Sequence, residues 1–164
     1  MHNVIGYDKE VRDTLRLAQI IRDDEWVDNE TVIINCGPSF SSLTCQLLSH
    51  GLSISTGSLV DIINLEMPTS ISPQIWDKEL GYIAWDKYLL DFHHKLDRTI
   101  KYMFLSSYTL GEEMAAVKRV ARTKQLSYKF ACVYLDKDSI FAPDYFTEVL
   151  ENPSIFEWEN PNLR

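Results

Sequence analysis

The sequence is short of several things at once. It has three cysteines, Cys36, Cys45 and Cys132, in 164 residues. An odd number, each within an apolar stretch and without zinc-type spacing, excludes a disulfide-built scaffold; they read as reduced packing residues. Basic residues are outnumbered, 16 against 24 acidic, for a net charge of −8. That excludes non-specific nucleic-acid binding, which depends on neutralising phosphates. No apolar run approaches the roughly 20 residues that span a bilayer, so no membrane partner is expected. The opening residues, Met1-His2-Asn3-Val4-Ile5-Gly6, lack the basic and apolar regions of a secretory signal, and the expected location is cytoplasmic. Internal repeats, low-complexity tracts and dividing linkers are missing too.

What is present is core-forming material. Hydrophobic residues make up 45% of the chain and aromatics 12%, enough for one ordinary domain spanning 1–164. After Gly6, the residues Val11, Leu15, Ala18 and Ile21 recur at helical spacing, with Asp8 as the expected cap and Asp23-Asp24-Glu25 as the closing acidic turn. Thr31 to Asn35 is a β-branched run too short for a helix, so it predicts a buried strand. Cys36-Gly37-Pro38-Ser39 is turn chemistry. Phe40, Leu43, Leu47 and Leu48 then begin a second helix, which Gly51 is expected to stop. Three further strands are predicted at Ser58 to Asn64, Lys101 to Ser106 and Lys129 to Leu135. Between the last two, Met114, Val117 and Ala121 form the apolar stripe of a helix after Gly111.

Residues 65–100 break this rhythm with Pro68, Pro73, Trp76, Tyr82, Trp85 and Tyr88. They predict a hood or lid-like insertion ending in a helix around Trp85 to Leu96. Residues 143–164 form an aromatic and acidic C-terminal segment. Alternating strands and helices imply an α/β domain with a parallel-rich central sheet and helices on both faces.

Ligands of open parallel sheets bind beyond the carboxyl ends of the strands. Two loops lead there, Asn35 to Ser39 and Ser106 to Glu112. The second combines hydroxyl side chains, a glycine and a helix start, whose N–H groups suit a phosphate. Ordinary turns and caps use the same amino acids, so composition leaves both readings open. His93 and His94 diverge on a helix, and His93 with Asp97 supplies only two groups, so no metal site is expected. Lys118, Arg119, Arg122, Lys124 and Lys129 form a locally basic stretch, either a solvated helix face or an attractor of anions.

The order of segments narrows the choice. The chain reads Tyr102-Met-Phe-Leu-Ser-Ser-Tyr-Thr-Leu-Gly-Glu-Glu113, then Val133-Tyr-Leu-Asp-Lys137, Pro143-Asp-Tyr-Phe146 and Phe156-Glu-Trp-Glu159. Over nearly its whole length it resembles the type I phosphoribosyltransferases, most closely the xanthine- or guanine-type purine enzymes. The resemblance implies a single-domain phosphoribosyltransferase-like fold with a hood, and a homo-oligomer, dimer or tetramer. It also implies that Thr109, Gly111 and Glu112 form a 5′-phosphate turn, that Cys36 and Gly37 lie in the pyrophosphate turn, and that Lys137, Phe156 and Trp158 hold a purine base.

The departures fall on the chemistry. The family's paired carboxylates match Ser106 and Ser107, which cannot stabilise an oxocarbenium-like transition state as anions would. Cys36 stands where the family carries arginine, and Pro38 replaces a glycine and removes a backbone donor. Pro153 falls near the usual base-stacking tryptophan. The expectation is therefore a degenerate transferase that binds a purine base or nucleotide-type ligand and needs no certain cofactor. One alternative is an active, divergent enzyme using phosphoribosyl pyrophosphate and Mg²⁺, with Glu112 or Glu113 replacing the missing acids. Another is a non-catalytic interaction or scaffolding module.

Overall fold

The computed structural model describes residues 3–36, 41–64, 96–109, 112–151 and 154–156. In chain order the elements are β1 (Asn3–Ile5), α1 (Tyr7–Asp23), β2 (Val32–Asn35), α2 (Ser41–Thr56), β3 (Asp61–Asn64), β4 (Lys101–Thr109), α3 (Glu112–Thr123), β5 (Ser127–Asp136), β6 (Tyr145–Leu150) and β7 (Ser154–Phe156). Five strands form one sheet in the order β3-β2-β4-β5-β6, and β1 pairs with β7 in a separate two-stranded sheet. Every pairing among the described residues is parallel. This is the expected α/β architecture.

Both faces of the large sheet are covered, which is why its central strands read as continuous apolar runs rather than alternating ones. The pleat sends successive side chains to opposite faces. Ile33, Met103 and Leu105 therefore meet Leu17, Ala18 and Ile21 of α1 and Leu48 and Leu52 of α2. Ile34, Tyr102 and Phe104 meet Met114, Val117 and Ala121, the predicted stripe of α3. All three cysteines are free and buried, and burial pushes the Cys45 thiol up to about 12. Lys118, Arg119 and Arg122 are exposed as expected. Lys129 is not part of that basic face, because it bonds Asp24 at 2.8 Å.

Several expectations are corrected. Gly6, not Asp8, is the N-cap of α1, and Asp8 lies in its first turn. Helix α2 does not stop at Gly51 but continues to Thr56, where Gly57 takes a φ of 76°. A Cβ built on Gly51 would lie 2.5 Å from the Cβ of Ala18. Glycine is there because α1 and α2 touch, not because the helix ends. Leu15 is 45% exposed, so the apolar series of α1 does not all face the core. The C-terminal segment contains strands: β6 extends the large sheet and β7 pairs with the N-terminal strand. The insertion at 65–100 and its helix near Trp85 to Leu96 fall outside the described residues except at 96–100, where Leu96 and Ile100 pack on the α3-side core.

Candidate functional site

Because all five strands run the same way, their carboxyl ends form one edge of the sheet. That edge is stepped. Asn35, the last residue of β2, is level with Leu105 of β4, yet β4 continues to Thr109, opposite Leu135 of β5. Four residues at about 3.3 Å each make β4 overhang β2 by about 13 Å. The overhang exists because β5 is ten residues long and keeps pairing with β4 to its end.

This ladder changes the reading of Ser106 and Ser107. Both were expected at the start of a loop; both lie inside β4, fully buried. As neighbours in a strand they point to opposite faces. Ser107 faces α2, where its hydroxyl lies 2.9 Å from that of Ser41, and its N–H donates to the same Ser41 oxygen at 3.2 Å. The helix start of α2 is thereby fastened into the step beside β4. A pair of groups on opposite faces cannot grip one diol, whatever their charge. The connection from β4 to α3 also shrinks to residues 110 and 111, since α3 begins at Glu112.

A second pair ties the shorter strands together. The Asn35 side-chain amide donates to the Asn64 side-chain oxygen Oδ1 at 3.0 Å and approaches the Ser42 hydroxyl at 3.4 Å. Sequence reading placed Asn35 in a loop leading to this edge but assigned it, Asn64 and Ser41 no hydrogen-bonding role there. The available signal was the tripeptide Ile-Ile-Asn, which ends both β2 and β3. The level end of β2 and β3 is thus lined by neutral hydrogen-bonding groups.

Of the remaining candidates, Cys36 sits directly after β2, 1% exposed. Its N–H donates to the Leu105 carbonyl at 3.0 Å and its thiol approaches the same oxygen at 3.4 Å. It is a packing residue beside Met114 and Phe141 rather than a displayed phosphate ligand. Lys137 leaves the end of β5 in a tight turn. Its N–H donates to the Leu150 carbonyl at 3.1 Å, and the preceding Asp136 carboxylate accepts the Asp138 N–H at 2.8 Å. The Lys137 side chain is exposed, and among the described residues no ion pair holds its ammonium.

Thr109 ends β4 and Glu112 begins α3, so both flank the overhanging tip, two strand positions from Lys137. Phe156 stands apart, in β7 opposite Ile5. Gly37, Gly111 and Trp158 lie outside the described residues. The structure brings Thr109, Glu112 and Lys137 to one tip, keeps Ser106, Ser107 and Cys36 within the packed interior, and seats Phe156 on the small sheet.

The donor set does not fit a Mg²⁺-bound sugar pyrophosphate at the serines, which are neutral and buried. No cluster of three or more potential metal-ligating side chains occurs among the described residues. Nor is any described helix long and apolar enough to cross a membrane.

No protein-family model matches the chain, and no curated protein matches it by sequence. Solved structures do resemble it. The xanthine-guanine-hypoxanthine phosphoribosyltransferase of Helicobacter pylori superposes with a TM-score of 0.60 at 16% identity, covering 97% of this chain and 93% of that one. An HGPRT-ase from Leishmania tarentolae, in complex with GMP, gives 0.61 at 13% identity, with 87% and 78% covered. A hypothetical protein from Neisseria gonorrhoeae with bound ppGpp gives 0.58 at 13% identity, with 99% and 93% covered.

Proposed function

The chain has the fold of the purine phosphoribosyltransferases, and we propose that it uses that fold to bind a purine nucleotide or base without transferring phosphoribose. The observation that carries this reading is the Ser41–Ser107 contact. Where the resemblance asks for a carboxylate facing a ribose, this chain has a buried hydroxyl bonded to the neighbouring helix. Transfer through an oxocarbenium-like state needs negative charge aimed at the developing cation. Neutral groups already bonded to one another supply none.

The overhanging tip supports the binding half. The backbone N–H groups at the start of α3 suit a phosphate. The exposed Lys137 ammonium, two positions past the residue opposite Thr109, suits the exocyclic oxygen of a 6-oxopurine or a second phosphate oxygen. Two of the similar structures hold GMP and ppGpp, which makes guanine nucleotides the first ligands to try.

Glu112 at the first position of α3, followed by Glu113, favours a second reading, in which these carboxylates supply the missing charge and the protein is an active, divergent transferase. Thermal-shift screening against guanine, hypoxanthine, xanthine, GMP, ppGpp and phosphoribosyl pyrophosphate, each with and without Mg²⁺, separates the two. A ligand that binds the native state raises Tm by mass action. A shift with GMP or ppGpp that ignores Mg²⁺ supports the binder. A Mg²⁺-dependent shift with phosphoribosyl pyrophosphate, followed by nucleotide formation from a base, supports the enzyme.

A further inference from the structure

A nucleotide held at the overhanging tip has its phosphate at the start of α3 and its base at Lys137, just past the end of β5. The sugar joins the two. It therefore lies over the end of β4, which leads into α3 and pairs with β5.

The polar groups along that strand are turned elsewhere. Ser106 and Ser107 are both 0% exposed and alternate between the two faces of the sheet. Ser106 shares the α3 side with Phe104. Ser107 faces α2, where its hydroxyl lies 2.9 Å from the Ser41 hydroxyl and its N–H donates to the same oxygen at 3.2 Å. Below them, Asn35 and Asn64 are level with Leu105, about 13 Å back from the tip, and are bonded to each other at 3.0 Å. These side chains fasten β2 to β3 and α2 to β4 across the step. The strand end carries no carboxylate either, since every side chain from Ser106 to Thr109 ends in a neutral hydroxyl.

Given the nucleotide-binding reading, on which this rests, we propose that the tip holds guanine nucleotides without reading their sugar. Deoxyribonucleotides are then ligands on equal terms with ribonucleotides. A sugar hydroxyl adds affinity only where its partner in the site is better than water. A carboxylate gripping it makes a charge-assisted bond worth about tenfold or more in affinity, and removing the hydroxyl strands that carboxylate. Exchange of water for a neutral hydroxyl is close to even. Recognition falls instead on the two ends of the ligand, where the helix start suits the phosphate and Lys137 the base.

Calorimetric titration of the full chain with GMP, dGMP and 2′,3′-dideoxyguanosine 5′-monophosphate tests this, with Lys137→Ala and Ser107→Ala as comparisons. The three nucleotides are expected to bind within about threefold of one another. Lys137→Ala weakens all three together by about five- to tenfold. Ser107→Ala leaves the ratio of GMP to dGMP affinity unchanged, because its hydroxyl belongs to the contact with Ser41. GMP binding more than about threefold tighter than dGMP overturns the proposal while the nucleotide-binding reading stands. A ratio that changes in Ser107→Ala overturns it as well, since that hydroxyl then touches the sugar. Equal binding that Lys137→Ala leaves untouched does the same, because the nucleotides then sit away from the tip. Absence of binding by all three overturns both the proposal and the reading beneath it.

Discussion

Ser41 and Ser107, 66 residues apart in sequence, share a buried hydrogen bond of 2.9 Å that fixes the start of α2 against the overhanging part of β4. The bond belongs to the scaffold, so putting carboxylates back at the serines should not rebuild a transferase. Ser107→Asp places a charge in a fully buried position against the start of α2, a helix with no Lys or Arg, whose first-turn N–H groups offset only part of the cost. A buried, uncompensated charge costs several kcal/mol or is driven to protonate. Ser107→Asp and the pair Ser106→Asp/Ser107→Asp are expected to lower Tm by roughly 10 °C or more and to leave phosphoribosyl pyrophosphate unbound. Ser107→Ala, which removes only the hydroxyl, is expected to cost about 0.5–1.5 kcal/mol. Thermal melts with and without phosphoribosyl pyrophosphate measure the first, and urea titration the second. A Ser107→Asp protein as stable as the wild type contradicts the assignment.

Gly51 offers a test of the helix pair. Alanine is about 1 kcal/mol better than glycine within a helix, so propensity alone predicts that Gly51→Ala stabilises. The new Cβ would lie 2.5 Å from the Cβ of Ala18, and two backbones must separate to relieve that. Overpacking of this kind costs about 1–3 kcal/mol, so the contact wins and the variant is expected to be less stable. Combining it with Ala18→Gly recovers part of the loss in a double-mutant cycle.

Asp13 joins α1 to the far strands. Its carboxylate accepts from the Tyr134 hydroxyl at 2.8 Å and from Lys9 at 2.6 Å, while Lys9 also reaches Glu148 at 2.5 Å. Burial lowers the Lys9 pKa, but its bonds to the two carboxylates outweigh this and the net direction is upward. Burial, followed by the bond to Asp13, raises that of Tyr134. Tyr134→Phe keeps the packing and removes one donor from a buried acid. It is expected to cost about 1–3 kcal/mol in chemical denaturation, with little change in fold by circular dichroism.

The amino ends of the strands set the acid limit. Lys129 and Tyr145 bond Asp24 and hold its carboxyl below the usual 3.8; Lys101, chiefly, does the same for Asp28. A carboxyl lowered on folding contributes stability above its unfolded pKa and loses it as pH falls through the folded value. Tm is therefore expected to hold from pH 7 down to about 4 for these two groups and to fall below that. Asp24→Asn combined with Asp28→Asn should shrink the fall. Asp24 is exposed and Asp28 half-exposed, so added salt should shrink it as well.

Much of the fold could be read from residue patterns because its central elements are locally determined. Ile33-Ile34 and Met103-Phe104-Leu105 announce buried strands, and Met114, Val117 and Ala121 announce the inner side of α3. The illegible parts depend on distant partners. Strands β1 and β7, three residues each, have too little pattern of their own and exist by pairing across the length of the chain. The extension of β4 through Ser106 and Ser107 is dictated by β5. The periodicity of Val11, Leu15, Ala18 and Ile21 states that one side of α1 is apolar, not that Glu10, Asp13 and Thr14 are buried as well. For the site, Lys137 and Thr109 are expected from the resemblance alone, and the hydrogen bonds of Asn35, Asn64 and Ser41 at the strand ends were not foreseen because hydrogen-bonded neutral groups carry no motif.

Calorimetric titration of GMP into the purified chain tests the central claim most directly, with Lys137→Ala as the comparison, since Lys137 is exposed and its loss leaves the fold intact. Saturable binding of one GMP per chain, unaffected by Mg²⁺ and weakened about five- to tenfold in Lys137→Ala, is the predicted result. At one charge-assisted hydrogen bond, that loss corresponds to about 1–1.4 kcal/mol. Absence of any heat of binding at millimolar GMP, or binding that Lys137→Ala leaves unchanged, contradicts the account.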